Sequence, residues 1–217
     1  MKGKNMIQID NLSKSFRKQT VLHNINIAFE KGKIHGIIGK NGSGKTVLLK
    51  CICGLIYPDA GTVTVAEKRI GKDVDFAPNT GIIIETPFFL PYKSGINTLY
   101  DLSQIKKVVG KPEIVWAMNQ VGLDPENRKP VGKYSLGMRQ RLGIAQAIME
   151  SPELLILDEP MNGLDKQSAE DMRQLLITLR KEGKTILLAS HNSQDIELVC
   201  DTVCEMDLGQ LTQVSGF

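Results

Sequence analysis

Gly39-Lys40-Asn41-Gly42-Ser43-Gly44-Lys45-Thr46 is the stretch that decides how this chain folds. It satisfies G-x-x-x-x-G-K-[ST], the spacing of a phosphate-binding loop. Ile34, Ile37 and Ile38 precede it as a short apolar run, the pattern of a buried strand. Val47, Leu48, Leu49, Cys51 and Ile52 follow without a proline, as an apolar helix would. In that order of strand, loop and helix, backbone N–H groups can curl round phosphate oxygens, and the helix N-terminus adds positive potential. Lys45 is placed to reach the β- and γ-phosphates, and the Thr46 hydroxyl to meet Mg2+. A plain glycine turn before a helix has no need of Lys-Thr at that point.

Upstream of the loop, Ile7, Ile9 and Leu12 alternate as a strand, and Leu22, Ile25, Ile27 and Phe29 suggest a second one ending at Lys31-Gly32. The two read as an antiparallel flap. Phe16 lies between them; local pattern favours a core aromatic over a platform for a purine ring. Downstream, Tyr57 to Gly61 is a turn before a strand at residues 62–65, and Gly81 to Glu85 is a buried strand ending on a carboxylate. Residues 97–121 are helical, broken into two helices at Gly110-Lys111-Pro112, and Met138 to Glu150 form another helix. Leu154 to Leu157 is a continuous apolar strand, covered on both faces. Asp165 to Glu182 is an amphipathic helix, residues 185–189 a buried strand, residues 193–200 a short helix, and the tail from Thr202 one further strand. The fold class is therefore α/β: one domain over residues 1–217, with a core from 1–87 and 152–217 and a helical insertion at about 88–151.

The apolar strand runs straight into Asp158-Glu159. Asp158 at the strand end can hold Mg2+, and Glu159 can polarise a water for attack on a γ-phosphate. Side chains alternate along a strand, so adjacent acids divide the work rather than share it. Tyr134-Ser135-Leu136-Gly137-Met138 opens a helix; Ser135 suits its N-cap, and Gly137 permits close approach to the backbone.

The composition is that of an ordinary globular protein: 217 residues, 41% hydrophobic and 24% charged, net charge +3. That charge, without a concentrated basic patch, argues against nucleic acid as a partner. No run reaches the roughly 18 apolar residues of a membrane span, and the first residues lack an apolar signal core. Cys51, Cys53, Cys200 and Cys204 lack C-x-x-C spacing and read as buried thiols in a reducing cytosol.

Together these motifs resemble the ATP-binding subunit of an ATP-binding-cassette (ABC) transporter, over essentially the whole chain. Gly39 to Thr46 match Walker A, Leu154 to Glu159 match Walker B, and Tyr134 to Met138 occupy the LSGGQ signature position. Asn162 to Asp165 resemble the D-loop, Ser190-His191 the switch histidine, and Glu85 takes the Q-loop position, where the family usually carries Gln. The signature keeps only Ser135 and Gly137. Ile84-Glu85-Thr86-Pro87, Pro91-Tyr92 and Ser135-x-Gly137-Met138-x-Gln140-Arg141 resemble the bacitracin- and lantibiotic-type exporter branch.

The resemblance implies a P-loop NTPase that binds ATP with Mg2+ and hydrolyses it. Phe16 takes the adenine-stacking position, displacing the core reading. Thr46, Asp158 and Glu85 would meet the metal, Glu159 would be the base, and His191 and Lys45 would hold the γ-phosphate. In this family two cassettes pair head to tail, as homodimer or heterodimer, so Ser135 and Gly137 would close the opposite site and Asp165 would couple the two. The partner would be an integral membrane permease, the location cytoplasmic on the inner face of the membrane, and the task export of an antibiotic, peptide or drug. Phe88, Phe89, Leu90 and Tyr92 would offer the docking surface, or else pack a junction between subdomains. The competing class is a soluble ABC ATPase of repair, translation or iron–sulfur assembly. Only fifty residues separate Glu85 from Ser135, with no heptad run or zinc spacing between, and there is one cassette. A GTPase would need an Asn-Lys-x-Asp guanine reader, which does not occur.

Overall fold

The computed structural model describes residues 4–17 and 19–214. It opens on β1 (Asn5–Phe16) and β2 (Gln19–Glu30), antiparallel, with Ile7 opposite Phe29, Ile9 opposite Ile27 and Leu12 opposite Ile25. All of these but Ile27 are buried, so the alternating pattern is the inward face of the pair. The odd step from Ile9 to Leu12 is absorbed at Asn11, whose φ is +52° and whose N–H donates to Asn26 Oδ1 at 2.8 Å.

β3 (Ile34–Ile38) leads into the glycine loop and α1 (Lys45–Cys53). β4 (Ala60–Val65) returns to pair with β1, and the two-residue β5 (Lys68–Arg69) completes an antiparallel sheet in the order β2-β1-β4-β5. Next come β6 (Thr80–Ile83), then three consecutive helices, α2 (Gly95–Lys106), α3 (Lys111–Gln120) and α4 (Leu136–Ile148). The chain continues through β7 (Leu154–Asp158), α5 (Lys166–Lys181), β8 (Thr185–Ser190), α6 (Ser193–Glu197), β9 (Thr202–Asp207) and β10 (Gln210–Val214).

The second sheet has the order β10-β9-β3-β8-β7-β6 and is parallel except for β10. It is the wall between two cores. Ile34, Leu155, Leu157, Ile186 and Leu188 face a cluster completed by α4 and α5. Ile37, Leu154, Ile156, Leu187 and Ala189 face α1 and the antiparallel sheet. Coverage on both sides is why these strands read as unbroken apolar runs. β3 has neighbours on both sides and ends at the glycine loop. The loop therefore emerges at the carboxyl edge of the sheet, beside the ends of β7 and β8, where ligands of open α/β sheets bind.

Three details differ from the sequence expectation. β6 stops at Ile83, so Glu85 lies beyond the strand with φ +61°; Thr86-Pro87 follows, and a proline cannot continue a ladder. The tail forms two strands rather than one, joined by Leu208-Gly209 with φ +43° and +78°. β5 was not expected at all; Ala66 and Glu67, φ +46° and +64°, make the same kind of turn before it. Both are two-residue hairpin turns with positive φ throughout, but neither has the Asn-Gly or Asp-Gly pair that announces one.

Candidate functional site

The cavity at the carboxyl edge of the parallel sheet measures about 510 Å3 and is lined by Lys40, Gly42, Gly44, Lys45, Thr46, Glu85, Asp158 and Glu159, among others. α1 begins at Gly44 without a side-chain cap, which leaves the amides of its first turn open to this space. Gly44 has φ +113°, and a Cβ on Gly39 would lie 2.4 Å from the Met206 carbonyl, so side chains at these two positions would disrupt the loop. The loop is also tethered from outside: Gly209 N–H donates to the Ser43 carbonyl at 3.0 Å, and the Gly209 carbonyl accepts from His23 N–H at 2.9 Å.

Lys45 is buried and donates to the carbonyls of Gly39 and Lys40 at 2.6 and 3.3 Å, with Glu159 Oε1 at 4.0 Å. The Thr46 hydroxyl donates to Asp158 Oδ2 at 2.6 Å, spanning α1 and β7. Burial pushes the Asp158 carboxyl above the usual range; Thr46 pulls it down and neighbouring Glu159 pushes it up. Glu159 has φ +50°, and its carboxylate accepts from the His191 N–H at 2.9 Å and from Ser190 Oγ at 3.2 Å, with His191 Nδ1 at 2.9 Å. β7 and β8 thus deliver the two acids and the histidine to one edge.

The remaining candidates sit round this centre. Glu85 lines the cavity and is ion-paired to Lys50 of α1 at 2.6 Å. Ser135 caps α4, accepting from Met138 N–H at 3.1 Å, and is exposed. A Cβ on Gly137 would lie 3.0 Å from the Gly163 carbonyl. Asp165 caps α5, accepting from Ser168 N–H at 2.9 Å, and the Ser168 bonds hold its carboxyl below the usual range. Phe16 is 44% exposed, which excludes the core reading, and Lys14 Nζ lies 5.4 Å from its ring centroid. Tyr134, by contrast, is buried in the helical core. Phe16, Ser135, Gly137, Asp165 and His191 do not line the cavity itself.

Two residues were missed by the sequence reading. Lys50 holds Glu85. Gln140, buried on α4, donates from Nε2 to the Glu159 carbonyl at 3.3 Å and lines the cavity. Lys50 follows Thr46 by four residues and so shares its helix face, a signal that was available; Gln140 stood only within the branch-like run, with no site role, since nothing local pointed it at Glu159.

The ABC transporter family pattern matches residues 22–162. The chain belongs to the ABC transporter family. It is 44% identical to the ABC transporter ATP-binding protein YybJ of Bacillus subtilis over 95% of this chain and 94% of that protein. It is 41% identical to the bacitracin transport ATP-binding protein BcrA of Enterococcus faecalis (96% and 68%), and 37% identical to the lantibiotic transport ATP-binding protein SrtF of Streptococcus pyogenes (91% and 85%). These relatives match the branch its motifs resemble. The fold is that of a dimeric ATP-binding cassette solved after hydrolysis with ADP and Pi: TM-score 0.86 at 22% identity, covering 98% of this chain and all of that one. This ABC ATP-binding subunit is an ATPase of the family type. Among the described residues no helix is long and apolar enough to cross a membrane.

Proposed function

We propose that the chain binds ATP with Mg2+ in the cavity at Gly39–Thr46 and hydrolyses it between two head-to-tail cassettes to power export through a separate membrane permease. The observation that carries this reading is the placement of Glu159. Its carboxylate is held by His191 and Ser190 and lies 4.0 Å from Lys45, at the mouth of the phosphate-binding loop. A base fixed there can take a proton from water while Lys45 meets the phosphate chain. Phe16 would stack on adenine, Ser135 and Gly137 would close the partner's site, and Asp165 would link the two sites.

Thr46 and Asp158 fit a magnesium site: both present hard oxygens, one a carboxylate buried beside the loop. Among the described residues no cluster of three or more acids, histidines or cysteines could hold a metal alone. Phosphate oxygens and water would therefore complete the coordination, as is usual for this ion. When bound, Mg2+ would supply charge neutralisation at the β- and γ-phosphates.

The helical stretch at about 88–151 is read as a subdomain inserted in the α/β core, and the permease as docking against it. Phe88 is 91% and Tyr92 70% exposed, while Phe89 is packed inward. A small groove of about 190 Å3 between Phe88, Leu90 and Leu102 supports that reading. Such subunits lie in the cytoplasm against the inner face of the membrane, and the bacitracin or lantibiotic transport of the relatives supports an antibiotic or peptide cargo.

Glu159→Gln tests the centre of this proposal. Its ATPase rate should fall by about 10²–10³-fold, while ATP binding stays at the parental level. Parental turnover in that variant would refute the assignment of the base. Co-purification with a polytopic membrane protein tests the transport reading; a chain active without one would favour the soluble class.

A further inference from the structure

Three carboxylates, Asp158, Glu159 and Glu85, line one cavity whose proposed ligand is itself strongly anionic. Each has a partner: Asp158 has Thr46, Glu159 has His191, and Glu85 has Lys50. The last pair differs in origin. Lys50 lies on α1 four residues after Thr46, on the same helix face, so the element that offers a hydroxyl to Asp158 also offers an ammonium to Glu85. Lys50 is the better anchored half, 26% exposed against 65% for Glu85. Glu85 is free to change partners, because it lies outside β6, where no ladder holds it.

We propose that Lys50 is a positioning residue that neutralises Glu85 and holds it back from the magnesium position, so that Glu85 divides between Lys50 and the metal. This rests on the nucleotide reading above. Without Lys50, Glu85 becomes an unpaired negative charge beside the phosphate loop. It then repels a nucleotide that carries no metal, and it adds a hard oxygen ligand for Mg2+. The two effects have opposite signs, which a general loss of structure cannot produce.

The experiment is calorimetric binding of the non-hydrolysable analogue AMP-PNP to the full chain, in EDTA and across a Mg2+ titration. Lys50→Gln should weaken binding in EDTA by about three- to fivefold and lower the Mg2+ midpoint by a similar factor, the scale of an exposed ion pair. Lys50→Arg should behave as the parent. With Glu85→Gln already present, Lys50→Gln should leave the Mg2+ midpoint where it was, because there is no carboxylate to release, while binding in EDTA falls back from the gain that Glu85→Gln alone gives. An equal shift of the Mg2+ midpoint in both backgrounds, or no shift of it at all, would overturn the proposal. Should Lys50→Gln not fold, Glu85→Gln alone decides: it should strengthen binding in EDTA, and unchanged or weaker binding overturns the idea. A parent chain that binds no AMP-PNP with Mg2+ would overturn the nucleotide reading and this inference with it, whereas normal parental binding isolates the fate of the Lys50–Glu85 pair.

Discussion

His35 is buried at the start of β3, its Nδ1 2.7 Å from Thr202 Oγ1 and its Nε2 2.9 Å from the Glu30 carbonyl, with Phe29 stacked obliquely at 5.1 Å. Burial drives its pKa below the ordinary 6.5, outweighing the carbonyl bond to Glu30. The folded chain therefore keeps the ring neutral, while the unfolded chain takes up a proton below about pH 6.5. Stability from this site is complete above that value and is lost as pH falls toward the depressed one. Glu30 does not titrate in that window, because Lys33 and Lys4 hold its carboxyl at about 2. Urea midpoints should fall between about pH 7 and pH 5.5, and the slope should flatten in His35→Gln. An unchanged slope would assign the loss to other groups. The cysteines act at this scale only as apolar filler: burial pushes Cys51 and Cys204 up to about 11, and Cys53 and Cys200 up to about 12.

At the level of elements, sequence pattern was most informative where burial is most complete. β7 and β8 are buried along their whole length, and the loop between β3 and α1 carries its own spacing rule. The β5 turn and the Leu208-Gly209 turn were missed because tertiary packing holds ordinary residues at positive φ there. That strain is testable. Ala66→Asn with Glu67→Gly should stabilise the protein by about 0.5–1 kcal/mol, raising the thermal midpoint by about 1–4 °C. No rise would show that the turn carries no removable strain. The candidate site was legible where residues act through local spacing, as at Lys45, Thr46, Asp158 and Glu159. The contacts of Gln140 with Glu159 and of Lys50 with Glu85 were not, since each joins different elements, although the face Lys50 shares with Thr46 was open to view.

For the whole molecule, one chain carries one phosphate loop and one signature helix, and Ser135 and Gly137 lie outside the cavity of their own chain. If two chains complete each other's sites, Lys45→Ala and Ser135→Ala chains should each be nearly inactive alone. Mixed in equal amounts they should recover activity, because a mixed dimer gathers both lesions in one site and leaves the other intact. Activity that stays absent in a mixture shown to contain mixed dimers would refute the head-to-tail arrangement.

The tether between Gly209 and the phosphate loop has a consequence for where ordering happens. Ser43 is held, and Gly39 closely flanked, by a hairpin some 170 residues further along the chain, which itself hydrogen-bonds the flap at His23. The loop thus acquires its curvature when the sheet closes, as a product of folding. A nucleotide meets amides already arranged, and little backbone entropy is lost at the encounter.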